Sequence, residues 1–139
     1  MDRPRMRISS VVVGAANPAA LALFYQRLLG WTVTEQYGPR PGFPAQDGWA
    51  MLRPPEKEAG LRGLAIQWEP GHEPPAWPPV PGQQQMMLHL DIAAEDVEAA
   101  VAWALGAGAT LAGHQPRDSV RVMLDPAGHP FCIFPGRTD

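Results

Sequence analysis

The sequence predicts an α+β fold built from two tandem βαβββ modules, and three observations carry that prediction. Each half of the chain opens with a β-like alternation that runs into an amphipathic helix ended by glycine. A proline-rich stretch, Glu69–Gly82 (EPGHEPPAWPPVPG), separates the halves. It suits neither helix nor central strand, because proline lacks the backbone donor that both require. The chain closes on Asp125–Phe134 (DPAGHPFCIF), where Asp-Pro-x-Gly places a turn between two apolar runs. There Asp125 can accept backbone N–H groups, Pro126 presets φ, and Gly128 takes the position a side chain would oppose.

Taken in order, Ile8–Val13 reads as a short strand with Val11 and Val13 on one face and Ile8, Ser10 and Val12 on the other. Asn17-Pro18 reads as a helix N-cap followed by proline at the first helical position. Leu21, Phe24, Tyr25, Leu28 and Leu29 then recur at helical spacing, and Gly30 ends the helix. Trp31–Tyr37 is strand-like, Gly38–Pro44 a loop, and Trp49–Arg53 another strand. Leu61–Trp68 follows, with Leu64, Ile66 and Trp68 on one face and Ala65 and Gln67 on the other. Beyond the linker the grammar repeats. Gln85–Ile92 is expected as a strand with Leu88, Leu90 and Ile92 facing a helix and Met87, His89 and Asp91 facing away. Val97, Ala100, Val101, Ala104 and Leu105 form the second helix, with Glu95 and Asp96 at its positive end and Gly108 beyond it. Ala109–Ala112, Val120–Leu124 and Phe131–Phe134 complete the pattern. One domain, residues 1–139, therefore divides into a first module over 8–68, a linker over 69–84 and a second module over 85–135. Superposing Leu28–Val33 on Gly106–Leu111 brings Ser10 opposite His89 to within one residue.

Composition narrows the function classes. The chain has 139 residues, 45% of them hydrophobic, which suits one compact domain. A formal charge of −3 provides no basic footprint for nucleic acid. No apolar run approaches a membrane span, and the N-terminus MDRPRMR lacks a signal-peptide core, so a cytoplasmic protein is expected. Cys132 is the single cysteine, which excludes an internal disulfide framework and a cysteine-rich zinc cluster.

The residues Asn17-Pro18, Phe24-Tyr25 and Leu29-Gly30-Trp31, then His89-Leu90-Asp91 with Asp96, then Asp125-Pro126-x-Gly128-His129-Pro130-Phe131, resemble the vicinal oxygen chelate superfamily. That superfamily includes glyoxalase I, bleomycin-resistance proteins and extradiol dioxygenases, and the resemblance runs from Ile8 to Pro135. It is most similar to the actinobacterial glyoxalase-like branch, through Ala76-Trp77-Pro78 in the linker, the HLD strand and the GHPFC ending. The resemblance implies that each module curls into half of an open barrel with its ligand in the concave groove. It also implies four ligand positions for a divalent metal, which fall on Ser10, roughly Gln67, His89 and Cys132.

The residue types at those positions do not favour a metal. Serine is a poor ligand, and one cysteine beside one histidine and an amide is not a set that first-row metals select. Asp91 shares the face of His89 and could add a carboxylate or orient the imidazole. His129 is expected as a hydrogen-bonding turn residue, and nothing basic adjoins Cys132 to activate its thiol. The expected function is therefore the binding of a small organic molecule without a metal, as in sequestration or resistance. Its lining is expected from Ser10, Val12, Trp49, Gln67, His89, Asp91, Cys132 and Phe134, with Trp77 as a further wall. The alternative is a metal-dependent lyase, isomerase or dioxygenase with His89 and Gln67 as first ligands. A third class, a module whose groove is filled by its own side chains, has less support. Arg53 and Arg121 are candidates for reaching an anionic substrate. A homodimer is expected, because open half-barrels leave strand edges and apolar rims for a second chain to cover.

Overall fold

The computed structural model describes the whole chain, Met1–Asp139. Its elements are β1 (Val11–Ala15), α1 (Pro18–Leu29), β2 (Thr32–Tyr37), β3 (Trp49–Arg53), β4 (Leu64–Trp68), β5 (Leu90–Ala94), α2 (Val97–Ala107), β6 (Thr110–Leu111), β7 (Arg121–Leu124) and β8 (Pro130–Pro135). They form two four-stranded mixed sheets in the orders β1-β4-β3-β2 and β5-β8-β7-β6. In each sheet the first and last strands of the βαβββ unit pair in parallel and the rest antiparallel. Neither sheet closes into a barrel, and β1 and β5 each keep one free edge.

The helices start and stop where their caps dictate. Asn17 Oδ1 accepts from the Ala20 amide at 3.2 Å, and Asp96 Oδ1 accepts from the Ala99 amide at 3.0 Å. Each satisfies a first-turn donor that has no partner within the helix. Gly30 stops α1 in the left-handed region, at φ 68°.

Strand ends differ from expectation at the module starts. Regular pairing begins at Val11 rather than Ile8 and at Leu90 rather than Gln85. Leu90 is the first residue of its run with a partner, Phe131, in β8. Residues without a partner strand gain no ladder hydrogen bonds, whatever their alternation. Met87 and Leu88 accordingly stand exposed, and Leu88 does not face a helix. The strand expected over Ala109–Ala112 shortens to Thr110–Leu111.

One hydrophobic core serves both modules. It joins Val13, Leu21, Phe24, Tyr25, Leu52, Leu64 and Ile66 to Ala104, Met123, Phe131 and Ile133. Each large side chain buried there contributes about 1.5–3 kcal/mol. The Phe24 ring centroid lies 4.9 Å from Tyr25 and 6.1 Å from Phe131, which carries the contact across the module boundary. Trp103 Nε1 on α2 donates to the carbonyls of Arg27 and Leu28, two acceptors at the C-terminal end of α1. The Tyr25 hydroxyl donates to Asp125 Oδ2 at 2.6 Å. Both partners are buried, so burial first, then the Asp125 charge and this bond, push the phenol well above its ordinary pKa. The modules are therefore packed helix side to helix side.

The closing hairpin is the clasp of this arrangement. Asp125 Oδ1 accepts from the amides of Ala127 and His129, and the Asp125 carbonyl accepts from the Gly128 amide. His129 acts as a turn residue that reaches further than expected, since its Nε2 donates to the Gly14 carbonyl of β1 at 2.7 Å. From the linker, His72 Nε2 donates to the Ala127 carbonyl at 2.7 Å.

Candidate functional site

Strand register places the polar residues of the second sheet. Asp91 on β5 lies opposite Cys132 on β8, and Cys132 lies opposite Val122 on β7. These three share the face away from the helices, because Leu90, Phe131 and Met123, their immediate neighbours, point into the common core. His89 precedes Asp91 on the same face. Its Nδ1 stands 3.1 Å from Asp91 Oδ1, with the two side chains 36% and 60% exposed. Both therefore stay within reach of a ligand.

Walls rise around this pair from two irregular segments. Gln115 bridges the loop after β6 to β7, donating to the Ala112 and Val122 carbonyls and accepting from the Val122 amide, each at 2.8 Å. This brace fixes Pro116 and Arg117 at the rim. Trp77 Nε1 donates to the His114 carbonyl at 3.0 Å and so pins the linker beside the same loop. The result is a hollow of about 450 Å³ lined by Trp77, His89, Asp91, Pro116, Arg117, Val120, Val122, Cys132 and Phe134. Cys132 is half-buried there. Burial, and then the negative charge of Asp91, push its thiol above the ordinary value, so the thiol is not an activated nucleophile.

The other expected lining residues fall elsewhere. Trp49 and Gln67, register partners on β3 and β4, line a separate hollow of about 360 Å³ with Tyr37, Arg40, Asp47 and Trp68. There Tyr37 stacks on Trp49 at 5.5 Å, and Gln67 Nε2 donates to Glu69 Oε1 at 2.9 Å. Arg40 grips the buried Asp47 through two of its guanidinium nitrogens, Nε and Nη2, and its backbone amide. That grip holds the Asp47 carboxyl below the usual range. Val12 lines a third hollow, of about 250 Å³, which also reaches His89 and contains Pro75, Met87 and His129. Ser10 is half-buried beside Gly63 and lines none of these hollows. Arg53 is engaged by Thr34 and Glu35, and Arg121 by the carbonyls of Asp118 and Val120, so neither enters the groove.

His89, Asp91, Cys132 and Phe134 are thus brought together around one hollow, Val12 shares a different hollow with His89 alone of these, Trp49 and Gln67 share a third, and Ser10 lines none of them. No residue of the first module lines the larger hollow, and none of the second lines that of Trp49 and Gln67. The four metal positions implied by the resemblance accordingly do not meet within one chain. A different trio does, since donor atoms of His89, Asp91 and Cys132 lie within 4.8 Å of one another. Arg117 and Pro116 were missed at the sequence level because they sit in an irregular loop. Val120 and Val122 had left a signal in their alternation.

No curated protein sequence is significantly similar to the chain. Solved structures share its fold. A glyoxalase family protein from Enterococcus faecalis is 23% identical, with 92% of this chain and 96% of that chain covered and a TM-score of 0.63. The fosfomycin resistance protein of Listeria monocytogenes, solved with Mn(II) and 1S,2S-dihydroxypropylphosphonic acid, is 13% identical, with coverage of 96% and 95% and a TM-score of 0.67. An antibiotic-binding protein from Streptomyces sp. CB03234 is 17% identical, with coverage of 98% and 100% and a TM-score of 0.53. The family model described as a glyoxalase-like domain matches residues 10–134, nearly the whole chain. Caps, register and the repeated βαβββ order agree with that match, and the chain belongs to the glyoxalase-like domain family of the vicinal oxygen chelate superfamily.

Proposed function

We propose that this protein binds a small organic molecule in the groove of the second sheet, with the His89–Asp91 pair as its polar anchor and without need of a metal. The observation that carries the reading is the hollow of about 450 Å³, in which an accessible imidazole and carboxylate stand among Trp77, Val120, Val122 and Phe134. Apolar walls with a few convergent polar groups are the usual make-up of a small-molecule site. Arg117 at the rim favours a ligand with an acidic or strongly polar group. The fosfomycin-resistance and antibiotic-binding neighbours lend support at the level of a shared scaffold.

A second copy of the chain completes this groove in our reading. The helix sides of the two modules are spent on each other, so each groove is open on the side where the opposite module is absent. The free edges of β1 and β5 lie beside exposed Ile8, Val12, Met87 and Leu88. An unpaired edge flanked by apolar side chains is a surface that a partner strand covers. Sedimentation at micromolar concentration is expected to show a dimer, and a sharply monomeric species would remove this part of the proposal.

The function is tested with chelator-treated protein and a panel of small organic acids and natural-product antibiotics, screened by thermal shift and confirmed by calorimetry. A bound compound is expected to lose about 1–3 kcal/mol of affinity in His89→Ala, the range for one deleted polar partner. The fold should survive, because His89 is exposed and precedes the first paired residue of β5. If binding vanished with chelator and returned with added metal, the metal-independent reading would fall. The alternative, a metal-dependent enzyme using His89, would then stand.

A further inference from the structure

We propose that a further hollow, of about 340 Å³ at the junction of the two modules, is a second binding site, one for a small apolar organic cation such as a protonated arylalkylamine. It draws on both modules, unlike the hollow of Cys132 and that of Trp49. Leu29, Trp31, Leu61 and Leu64 wall it from the first module, and Leu90 and Ile92 from the second. Trp31 and Leu64 are buried, and Leu29, Leu90 and Ile92 pack against the shared core. The floor of the hollow is therefore the flank of that core, away from the groove-facing residues Cys132 and Phe134.

The chain fixes the rim on both sides. On the first module, Arg62 Nη1 donates to the Glu58 and Pro55 carbonyls at 2.7 and 3.3 Å, and the Glu58 amide donates to the Pro55 carbonyl at 3.1 Å. Gly60 turns this loop back toward β4 at φ 100°, and a Cβ there would meet nothing within 4 Å. On the second module, the Gly136 amide donates to the Ala94 carbonyl at 3.0 Å and Thr138 Oγ1 donates to Glu95 Oε1 at 3.1 Å, which holds the tail beside β5. A hollow held open in this way asks little ordering of the protein when a ligand enters. Its volume lies at the lower end of the range of about 300–1,000 Å³ found for small-molecule pockets.

Charge decides the ligand class. The ionisable residues of the lining are the acids Glu58, Asp91 and Asp139 and one base, Arg137. Arg137 is engaged by Asp139 through Nε and Nη2 at 3.0 and 2.8 Å. Asp91 turns its carboxylate to His89. Glu58 alone has no basic partner, and its Oε1 accepts only from the neutral Trp31 Nε1 at 3.3 Å. It is half-buried, so salt screens it less than an exposed carboxylate. An ammonium group set against Glu58 gains a charge-assisted hydrogen bond, with the Trp31 indole as an aromatic wall beside it. The apolar body of the same molecule covers Leu29, Leu61 and Ile92, which is favourable in proportion to the area removed from water. A carboxylate ligand would instead meet the uncompensated charge of Glu58. Arg117 gives the His89 hollow the opposite preference, so the two sites sort ligands by sign.

The test titrates the full-length protein with phenethylamine, with phenethyl alcohol as its neutral counterpart and hydrocinnamate as its anionic one. Nuclear magnetic resonance of the assigned indole N–H groups reports where each compound sits. The amine is expected to shift the Trp31 signal saturably and to leave that of Trp77, a wall of the His89 hollow, in place. It should bind at least roughly tenfold more tightly than the alcohol, the effect of a hydrogen bond to a charged group, with the carboxylate weaker still. Glu58→Gln keeps an acceptor for Trp31 and should remove that tenfold preference without changing the affinity of the alcohol. Leu61→Lys, at a position 37% exposed, should abolish amine binding by placing a like charge in the wall. Equal affinities of amine and alcohol, or an amine affinity unchanged in both variants, would overturn the choice of a cation. A Trp31 signal that none of the three compounds moves, or a shift at Trp77 in its place, would overturn the site. The His89 groove takes no part in this assignment, so failure here leaves the proposed function standing.

Discussion

Tyr25→Phe tests how the two modules are held together, because it removes one oxygen from a buried contact and leaves the ring. The Tyr25 hydroxyl donates to Asp125 Oδ2 at 2.6 Å, with Tyr25 1% and Asp125 4% exposed. Asp125 Oδ1 remains occupied by the amides of Ala127 and His129, so the turn itself keeps its ties. What is lost is one hydrogen bond to a carboxylate in a site closed to water, about 1.5–3 kcal/mol. At about 3–5 °C per kcal/mol for a chain of this size, the thermal midpoint should fall by about 5–15 °C. Urea unfolding followed by tryptophan fluorescence would measure the loss directly. The pH dependence supplies a second check. The folded-state pKa of Tyr25 is raised, so its stabilisation is complete below about pH 10, the ordinary tyrosine value. It is lost as pH rises further, because the unfolded state releases the phenolic proton first. Tyr25→Phe should lack that alkaline loss. A variant within about 0.5 kcal/mol of wild type at neutral pH, with the same alkaline profile, would show that this bond does not couple the modules.

Two further substitutions probe the supports of the site. Gly128→Val should cost on the order of 1–3 kcal/mol by chemical denaturation. Gly128 sits at φ 85°, and a Cβ there would stand 2.5 Å from Cβ of Pro74. An unchanged midpoint would show that the hairpin does not hold the linker in place. Arg40→Ala should lower the thermal midpoint near neutrality by an amount that shrinks below about pH 4. The Asp47 pKa is held down by Arg40, so this stabilisation exists above the unfolded carboxylate value and fades as pH falls through the folded one. A difference between the two proteins that stayed constant with pH would remove Asp47 from the account.

The sequence alone determined the secondary-structure order and the family. Period-two and period-3.6 apolar spacing, the N-caps Asn17 and Asp96 and the stops Gly30 and Gly108 are local signals, and local signals survive in one dimension. Alternation put His89 and Asp91 on one face of their strand and set Cys132 opposite Phe131 and Ile133 on its own, the family resemblance joined the two faces, and the structure places all three around one hollow. Where β5 begins was not legible, because a strand starts where a partner starts, and Phe131 lies far along the chain from Leu90. Nor was the Tyr25–Asp125 bond, or the tie of Gln115 to Val122 in the loop that carries Arg117, visible in any spacing. The tertiary structure alone decided which grooves exist. The apolar helix sides of both modules are buried in one shared core, which leaves the polar residues of the two sheets lining separate hollows. Ser10 and His89 occupy equivalent positions in the repeat, yet that packing keeps Ser10 out of the hollow that His89 lines.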